Sequence, residues 1–298
     1  MRLFYALFVS VISLVMPLTA HAEKLTMSTW NMEWLTVNPN HNVYEGKRNH
    51  DDFSALKGYF EKLNADVIAF QEVDSIDAFK RVSQPEYTIV LSDRNIPKYA
   101  SHQFSDINQY TGFAIRNNVP FSDPKDIDLY GKANHKLRFA SYVILYPDSA
   151  TPVHALSLHL KAGCVGKFYS QKETCQTLLA QGKSLNRWIK EREKQGQEYV
   201  IMGDFNHNLS FKGDWLWQEF TQGLTNKPEL ATRNTQALCK VRKRNNASQL
   251  HQFRSVIDHM IISPKLNATP PKQMVYKDQN ALNYHLSDHC PIVSQLNW

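Results

Sequence analysis

The chain has 298 residues, with 34 Lys+Arg against 28 Asp+Glu and a formal net charge of +6. That length supports one large domain with a full core, and the modest positive balance tolerates a polyanionic partner without specifying one. No internal repeat, low-complexity tract or linker divides the chain, and beyond its first residues no segment is apolar enough to cross a membrane.

The chain opens with a short positive start at Arg2, an apolar run over residues 3–18, and the small-x-small triplet Ala20-His21-Ala22. This pattern predicts a cleaved secretory signal over residues 1–22 and therefore a secreted or periplasmic protein. Cleavage would leave 298 − 22 = 276 residues and, with Arg2 gone, a charge of 6 − 1 = +5. Residues 25–31 alternate weakly and suit a first strand. Phe53, Leu56, Tyr59, Phe60 and Leu63 recur at helical spacing, with Asp51 or Asp52 placed to cap that helix. Val67-Ile68-Ala69-Phe70 reads as a buried strand that ends at Gln71-Glu72. Further strands are expected over residues 87–91, 112–115, 137–146 and 153–160. A long helix follows over 171–194, with Leu178, Leu179, Leu185, Trp188 and Ile189 as its buried stripe. Residues 199–202 form a strand running into Gly203-Asp204, and 256–262 form the last clear strand. Many strands with few helices between them predict packed sheets flanked by helices.

Four cysteines, Cys164, Cys175, Cys239 and Cys290, allow three pairings. Their spacing matches no short zinc-ligand pair, and export permits disulfides. The preferred pairing is Cys164–Cys175, which closes a short loop, with Cys239–Cys290 tying a late loop to the C-terminal segment.

The informative pattern is what stands at the strand ends. Apolar runs repeatedly finish in polar clusters: Asn31-Met32-Glu33, Gln71-Glu72, His159, Asp204-Phe205-Asn206, Asp258-His259 and Asp288-His289. Each alone could serve a turn or be a satisfied structural group. Strand ends gathered at one sheet edge would instead bring all of them into one cleft. Hydrolysis of a phosphodiester needs such a set: oxygen ligands for a hard cation such as Mg2+, and a histidine paired with a carboxylate to take a proton from water.

The order and wording of these clusters resemble the endonuclease/exonuclease/phosphatase superfamily, the DNase I-like proteins. The matching pieces are WNMEW at 30–34, FQEVDS at 70–75, QYTGFAIR at 109–116, SLHLKAG at 157–163, GDFN at 203–206, SVIDHMIIS at 255–263 and LSDHCPI at 286–292. The resemblance implies a four-layer α/β sandwich, with two mostly antiparallel sheets packed face to face and helices outside. It implies Glu72 as a metal ligand, Asn31 ordering the metal site beside it, and Asp288 near the metal. His289 would be the base that activates water, oriented by Asp258. Asp204 and Asn206 would contact the phosphate and the nucleophile or leaving group. Tyr110 would touch the phosphate. His159 would bind it or assist the leaving oxygen; Gln109-Tyr110-Thr111-Gly112 lacks the acid that supports this histidine in DNase I, so both roles stay open.

The resemblance makes the expected activity that of a divalent-metal-dependent phosphodiesterase using Mg2+, with Mn2+ or Ca2+ as alternatives. An endonuclease acting on DNA, and on RNA as well, with 5′-phosphate products is the favoured reading. A lipid or small-molecule phosphoesterase of the sphingomyelinase kind is the alternative. The basic run Lys240, Arg242, Lys243 and Arg244, just before the strand carrying Asp258, is expected on a rim loop that meets nucleic acid.

Overall fold

The computed structural model describes residues 24–39 and 43–298. The secretory signal expected at residues 1–22 lies outside the described residues. In chain order the strands are β1 (Lys24–Leu35), β2 (Val67–Val73), β3 (Tyr87–Leu91), β4 (Tyr110–Arg116), β5 (Phe121–Ser122), β6 (Ser141–Leu145), β7 (Val153–His159) and β8 (Glu198–Asp204). They continue with β9 (Glu229–Leu230), β10 (Lys240–Lys243), β11 (Asn246–Gln252), β12 (Asp258–Ile262), β13 (Asn267–Ala268), β14 (Lys272–Gln273) and β15 (Ile292–Asn297). The α-helices are α1 (His50–Leu63), α2 (Ile76–Lys80), α3 (Glu173–Lys194), α4 (Trp215–Thr221) and α5 (Asp278–Asn283).

The first sheet runs β13–β15–β1–β2–β4–β3, with β14 also on β15, and the second runs β5–β6–β7–β8–β12–β9. Both are mixed: β1–β2 and β7–β8 are parallel, and every other pair in the two sheets is antiparallel. The strand period of two sorts the side chains into layers. On β2, Val67 and Ala69 face the second sheet, while Ile68 and Phe70 face outward against α1 and α2 residues such as Leu56, Phe60 and Phe79. On β8, Val200 and Met202 face inward, and Ile201 packs outward with Leu178, Leu185 and Ile189 of α3 and Phe220 of α4. Helix, sheet, sheet and helix thus form the expected four-layer sandwich around three apolar clusters.

Several local expectations are corrected. The N-cap of α1 is Asn49, whose side chain accepts from the Asp52 amide, and Asp52 returns the bond to the Asn49 amide. A capping box needs its partner three residues on, and so Asp52 stands at N3 rather than as the cap. The strand expected over 137–146 shortens to β6, because its first part leaves the sheet and carries Arg138 to the cleft described below. The buried stripe of α3 omits Leu179, which is half-exposed, and Trp188 is only partly buried. Thr177, Gln181, Gly182 and Asn186 are buried there instead. Gly182 lets α4 pack close: a Cβ on it would lie 2.9 Å from Leu216 Cδ1, which would have to shift. The strand at 256–262 is not the last, since β15 pairs with β1 inside the first sheet.

Both expected disulfides form, Cys164–Cys175 and Cys239–Cys290. The second spans 51 residues and ties β10 to the residue after His289. Replacing Cys239 and Cys290 together by serine should lower stability by about 2–4 kcal/mol, because the longer open chain gains conformations on unfolding. Denaturant unfolding measures this; an unchanged midpoint with unchanged slope would show that other contacts already fix that segment.

Candidate active site

The inward-facing register of the central strands runs straight into the polar clusters. Leu25, Met27, Thr29 and Asn31 share one face of β1; Val153, Ala155, Ser157 and His159 share one face of β7; Val200, Met202 and Asp204 do so on β8, and Ile262, Met260 and Asp258 on β12. Cross-strand pairing then sets the functional groups side by side, His159 opposite Asp204 and Asp204 opposite Asp258. Apolar residues fill the space between the sheets until its end, where this row of polar groups lines a cleft of about 730 Å³. Behind the row, Gln71 Nε2 donates to Ser157 Oγ (3.1 Å) across the two sheets and closes the apolar core beneath the site.

Glu72 reaches the cleft by a different route. Strict alternation from Val67 would send it outward toward α1. Instead Glu72 has φ +58°, and the β1–β2 and β2–β4 registers shift at that point. Glu33, Trp34 and Asn206 also have positive φ, and all three line the same cleft. Left-handed backbone at non-glycine residues costs roughly 1–3 kcal/mol each, and here it aims side chains that a regular strand would point elsewhere. Gly203 is forced on the chain: at φ +144° its Cβ would lie 2.1 Å from the Leu158 carbonyl oxygen.

His289 stands on the loop between α5 and β15, held by its surroundings. Its amide donates to Ser287 Oγ (3.0 Å), Ser287 Oγ donates to the Asn31 carbonyl (2.6 Å), and its own carbonyl accepts from Trp30 Nε1 (3.2 Å). Asp258 Oδ2 lies 2.7 Å from His289 Nδ1, which turns Nε2 toward Asp204 Oδ2 at 3.9 Å and Asp288 Oδ1 at 3.7 Å. Burial opposes a proton on His289, but Asp258, Asp288 and Asp204 outweigh it and hold the imidazole well above its usual 6.5. His159 is the reverse case. Burial, the Arg138 guanidinium and His289 keep it well below that value, and its Nε2 lies 3.5 Å from both Glu72 Oε1 and Asp204 Oδ2. Glu72 and Asp204 are therefore the acids beside it, a tertiary arrangement invisible in the QYTG segment. A neutral His159 offers a ligand nitrogen or a hydrogen bond to phosphate rather than the proton of a general acid.

Two compact groups have the donor set for a divalent cation: Glu72, His159 and Asp204; and Asp204, Asp258 and His289, with ligand atoms within 4.8 Å of one another in each. Asp258 Oδ1 and His159 Nδ1 are buried without a hydrogen-bond partner among the described residues. Burial pushes Asp204 up to about 7, with Asp258 and Glu72 adding to the rise against His289 and the Asn206 amide. Carboxylates crowded in this way are what a hard cation relieves. Asn31 serves this cluster differently from a ligand. Its amide donates to Glu72 Oε1 (3.0 Å) and Asp204 Oδ2 (3.1 Å), and its oxygen is taken by the Glu33 amide (2.9 Å), so it spaces the acids. Asn206 likewise anchors the floor, donating to the Leu160 carbonyl (3.1 Å) and Asp204 Oδ2 (3.2 Å).

The remaining expected residues divide. Asp288 belongs to neither compact group; its amide donates to Glu33 Oε2 (2.9 Å) and its carboxylate meets Arg244 (3.0 Å). Tyr110 is buried, with the Arg94 guanidinium 5.4 Å from its ring centre, and its neighbour Gln109 lines the cleft instead. The basic run is no loop but the first strand, and the start of the turn, of the β10–β11 hairpin on the cleft rim. Arg242, Lys243 and Arg244 line the cleft, whereas Lys240 turns away to pair with Asp278 (2.9 Å). Arg242 also secures the hairpin by donating to the Leu282 carbonyl (2.9 Å).

One group escaped the sequence analysis, and a second was named there without a role. Arg138 lines the cleft, donates to the Leu160 carbonyl (3.1 Å), and has its buried Nε without a partner among the described residues. It places a positive charge beside Glu72 and Asp204. Glu33 is buried and pushed up to about 8 by burial and Asp288, against the pull of Arg48. Glu33 stood in the strand-end cluster Asn31-Met32-Glu33 but was given no role; Arg138 carried no motif.

A model of the Endonuclease/Exonuclease/phosphatase family matches residues 28–289. No curated protein is a match. Among solved structures, an endonuclease/exonuclease/phosphatase family protein from Bacteroides thetaiotaomicron is similar at 13% identity, covering 93% of this chain and 99% of its own, with a TM-score of 0.61. Truncated TDP2 from Caenorhabditis elegans is similar at 16% identity, covering 92% and 97%, with a TM-score of 0.58. Mannosyl-6-phosphatase from Bacteroides thetaiotaomicron is similar at 13% identity, covering 91% and 99%, with a TM-score of 0.60. At these identities the likeness is one of fold.

Proposed function

The chain belongs to the Endonuclease/Exonuclease/phosphatase family, and from that membership we propose that it is an exported, Mg2+-dependent phosphodiesterase acting on polynucleotides, DNA foremost and RNA as well. Export rests on the apolar start with its cleavage triplet and on two disulfides, which suit an oxidising compartment. Among the described residues no helix is long and apolar enough to cross a membrane.

Glu72, Asp204 and His159 would hold the cation, with Asp258 beside them. When bound, the cation neutralises phosphate charge and stabilises the departing oxygen. His289 Nε2 takes a proton from the attacking water, and Asp258 fixes the tautomer that leaves Nε2 free. The water oxygen forms a bond to phosphorus as the ester bond to the leaving oxygen breaks, and that oxygen departs with the bonding pair. Arg138 contacts the phosphate oxygens, and Asn206, whose amide hydrogens go to Leu160 and Asp204, holds the floor beneath them. Loss of the 3′ oxygen leaves a 5′-phosphate.

The observation that carries the polynucleotide reading is the β10–β11 hairpin on the cleft rim. Lys243, Arg244 and Arg254 line the cleft and are exposed, so an extended backbone can meet several cations in succession. The turn Arg244-Asn245 is polar, a poor wedge for lipid. A magnesium-dependent panel of plasmid DNA, RNA, sphingomyelin, a phosphoinositide and mannose 6-phosphate tests the substrate class. Cleavage of a lipid or sugar phosphate with DNA and RNA left intact would overturn this reading. Replacing Lys243, Arg244 and Arg254 together by serine should weaken binding to unrelated DNA sequences equally. Each lost phosphate contact should lower the salt slope by about 1, so three lost contacts predict a drop of roughly 3 in log–log units. An unchanged slope would remove the hairpin from the interface.

A further inference from the structure

The cleft lining mixes two chemistries. Beside the acids, amides and His289 it includes Cys239, Val241, His251, Phe253, Val256 and Ile257, drawn from the hairpin and the segments that flank it. His251 pairs in register with Val241, and Phe253 follows just beyond the end of β11. Phe253 is 41% exposed, and its ring meets that of His251 edge-on at 4.9 Å and 89°. A large aromatic left open to solvent at the end of a polar strand contributes little to the core. It lies in the same cleft as Lys243, Arg244 and Arg254, where phosphates are expected.

We propose that Phe253, backed by His251, is a stacking platform for a base next to the scissile phosphate, so that the substrate is nucleic acid with unpaired nucleotides rather than intact duplex. This inference rests on the polynucleotide reading and narrows it. The cations supply a sequence-independent hold on the backbone, and an aromatic face supplies a sequence-tolerant hold on a base. A base inside a duplex already has its two faces stacked on neighbours and cannot offer one to a side wall of the cleft without leaving the helix. Phe253 is then a specificity-determining residue, acting on substrate binding and not on proton transfer.

The test compares kcat/KM of the magnesium-loaded enzyme on one labelled oligonucleotide, single-stranded and annealed, for the wild type, Phe253→Leu and Phe253→Trp. The wild type should favour the single strand by about tenfold or more. Phe253→Leu, apolar but without a π face, should lose about tenfold of that preference through KM with kcat little changed, and Phe253→Trp should restore it. As a second readout, an abasic oligomer that keeps the phosphates should compete about tenfold less well than oligo-dT against the wild type, and equally well against Phe253→Leu. A wild type that cuts duplex as fast as single strand, or a Phe253→Leu enzyme with unchanged preference and unchanged competition, would overturn the platform while leaving the nuclease intact. An enzyme that cuts neither form but hydrolyses bis-p-nitrophenyl phosphate would overturn the polynucleotide reading itself, and the platform with it.

Discussion

His289→Ala should lower kcat by about 10²–10⁴-fold, the usual contribution of a positioned base. The fold should survive, because the imidazole stands on the cleft wall outside the three apolar clusters, and the bond from Trp30 goes to the main-chain carbonyl. Circular dichroism should therefore match the wild type while turnover collapses, and the melting temperature should fall only by what the lost Asp258–His289 hydrogen bond contributes. The pH profile gives an independent reading. A base must be unprotonated to act, and the acids around His289 hold its proton to a pH above 6.5 despite burial. Activity should thus rise with pH along a limb set by loss of the His289 proton. Asp258→Asn removes the strongest of the influences that raise it, so the limb should move to lower pH as the plateau falls with the lost tautomer control. A fully active His289→Ala enzyme, or an Asp258→Asn limb displaced upward, would refute the assignment.

Chelation by EDTA should stop turnover, and Glu72→Gln should demand far more Mg2+ for half-maximal activity. Asn31→Ala, which removes a group that spaces Glu72 and Asp204, should cost about 10–100-fold in metal affinity, the usual effect of a residue that orients ligands. Loss of Glu72 itself should cost more. Calorimetric titration separates metal affinity from turnover, and thermal unfolding adds a check: saturating Mg2+ should raise the melting temperature of the wild type and do so much less for Glu72→Gln. Full activity after rigorous metal removal, or identical Mg2+ affinities in wild type and Glu72→Gln, would exclude the cluster as the metal site.

Which residues meet in the cleft was largely legible in the sequence, because strand periodicity carries it. Asn31, His159, Asp204 and Asp258 each continue the inward register of an apolar strand, and sheet pairing converts that register into adjacency. The disulfides were legible too, since four cysteines allow only three pairings. The charged run at 240–244 was visible, but its form was not: β11 reads Asn-Ala-Ser-Gln-Leu-His-Gln, with no apolar alternation to announce a strand. β15 escaped because its alternation spans only six residues at the chain end.

What the chain alone could not decide depends on atoms brought from far apart. Glu72 enters the cleft only through left-handed backbone and a register shift, which no alternation pattern encodes. The acids beside His159 come from β2 and β8, so the protonation states of His159, Asp204 and Glu33 follow from burial and from charges distant in sequence. Arg138 and Phe253 bear no motif, and only the closing of the cleft gives them a neighbourhood. Local pattern determines which face of a strand a residue occupies; the electric field and walls around that residue arise only when the two sheets close on each other.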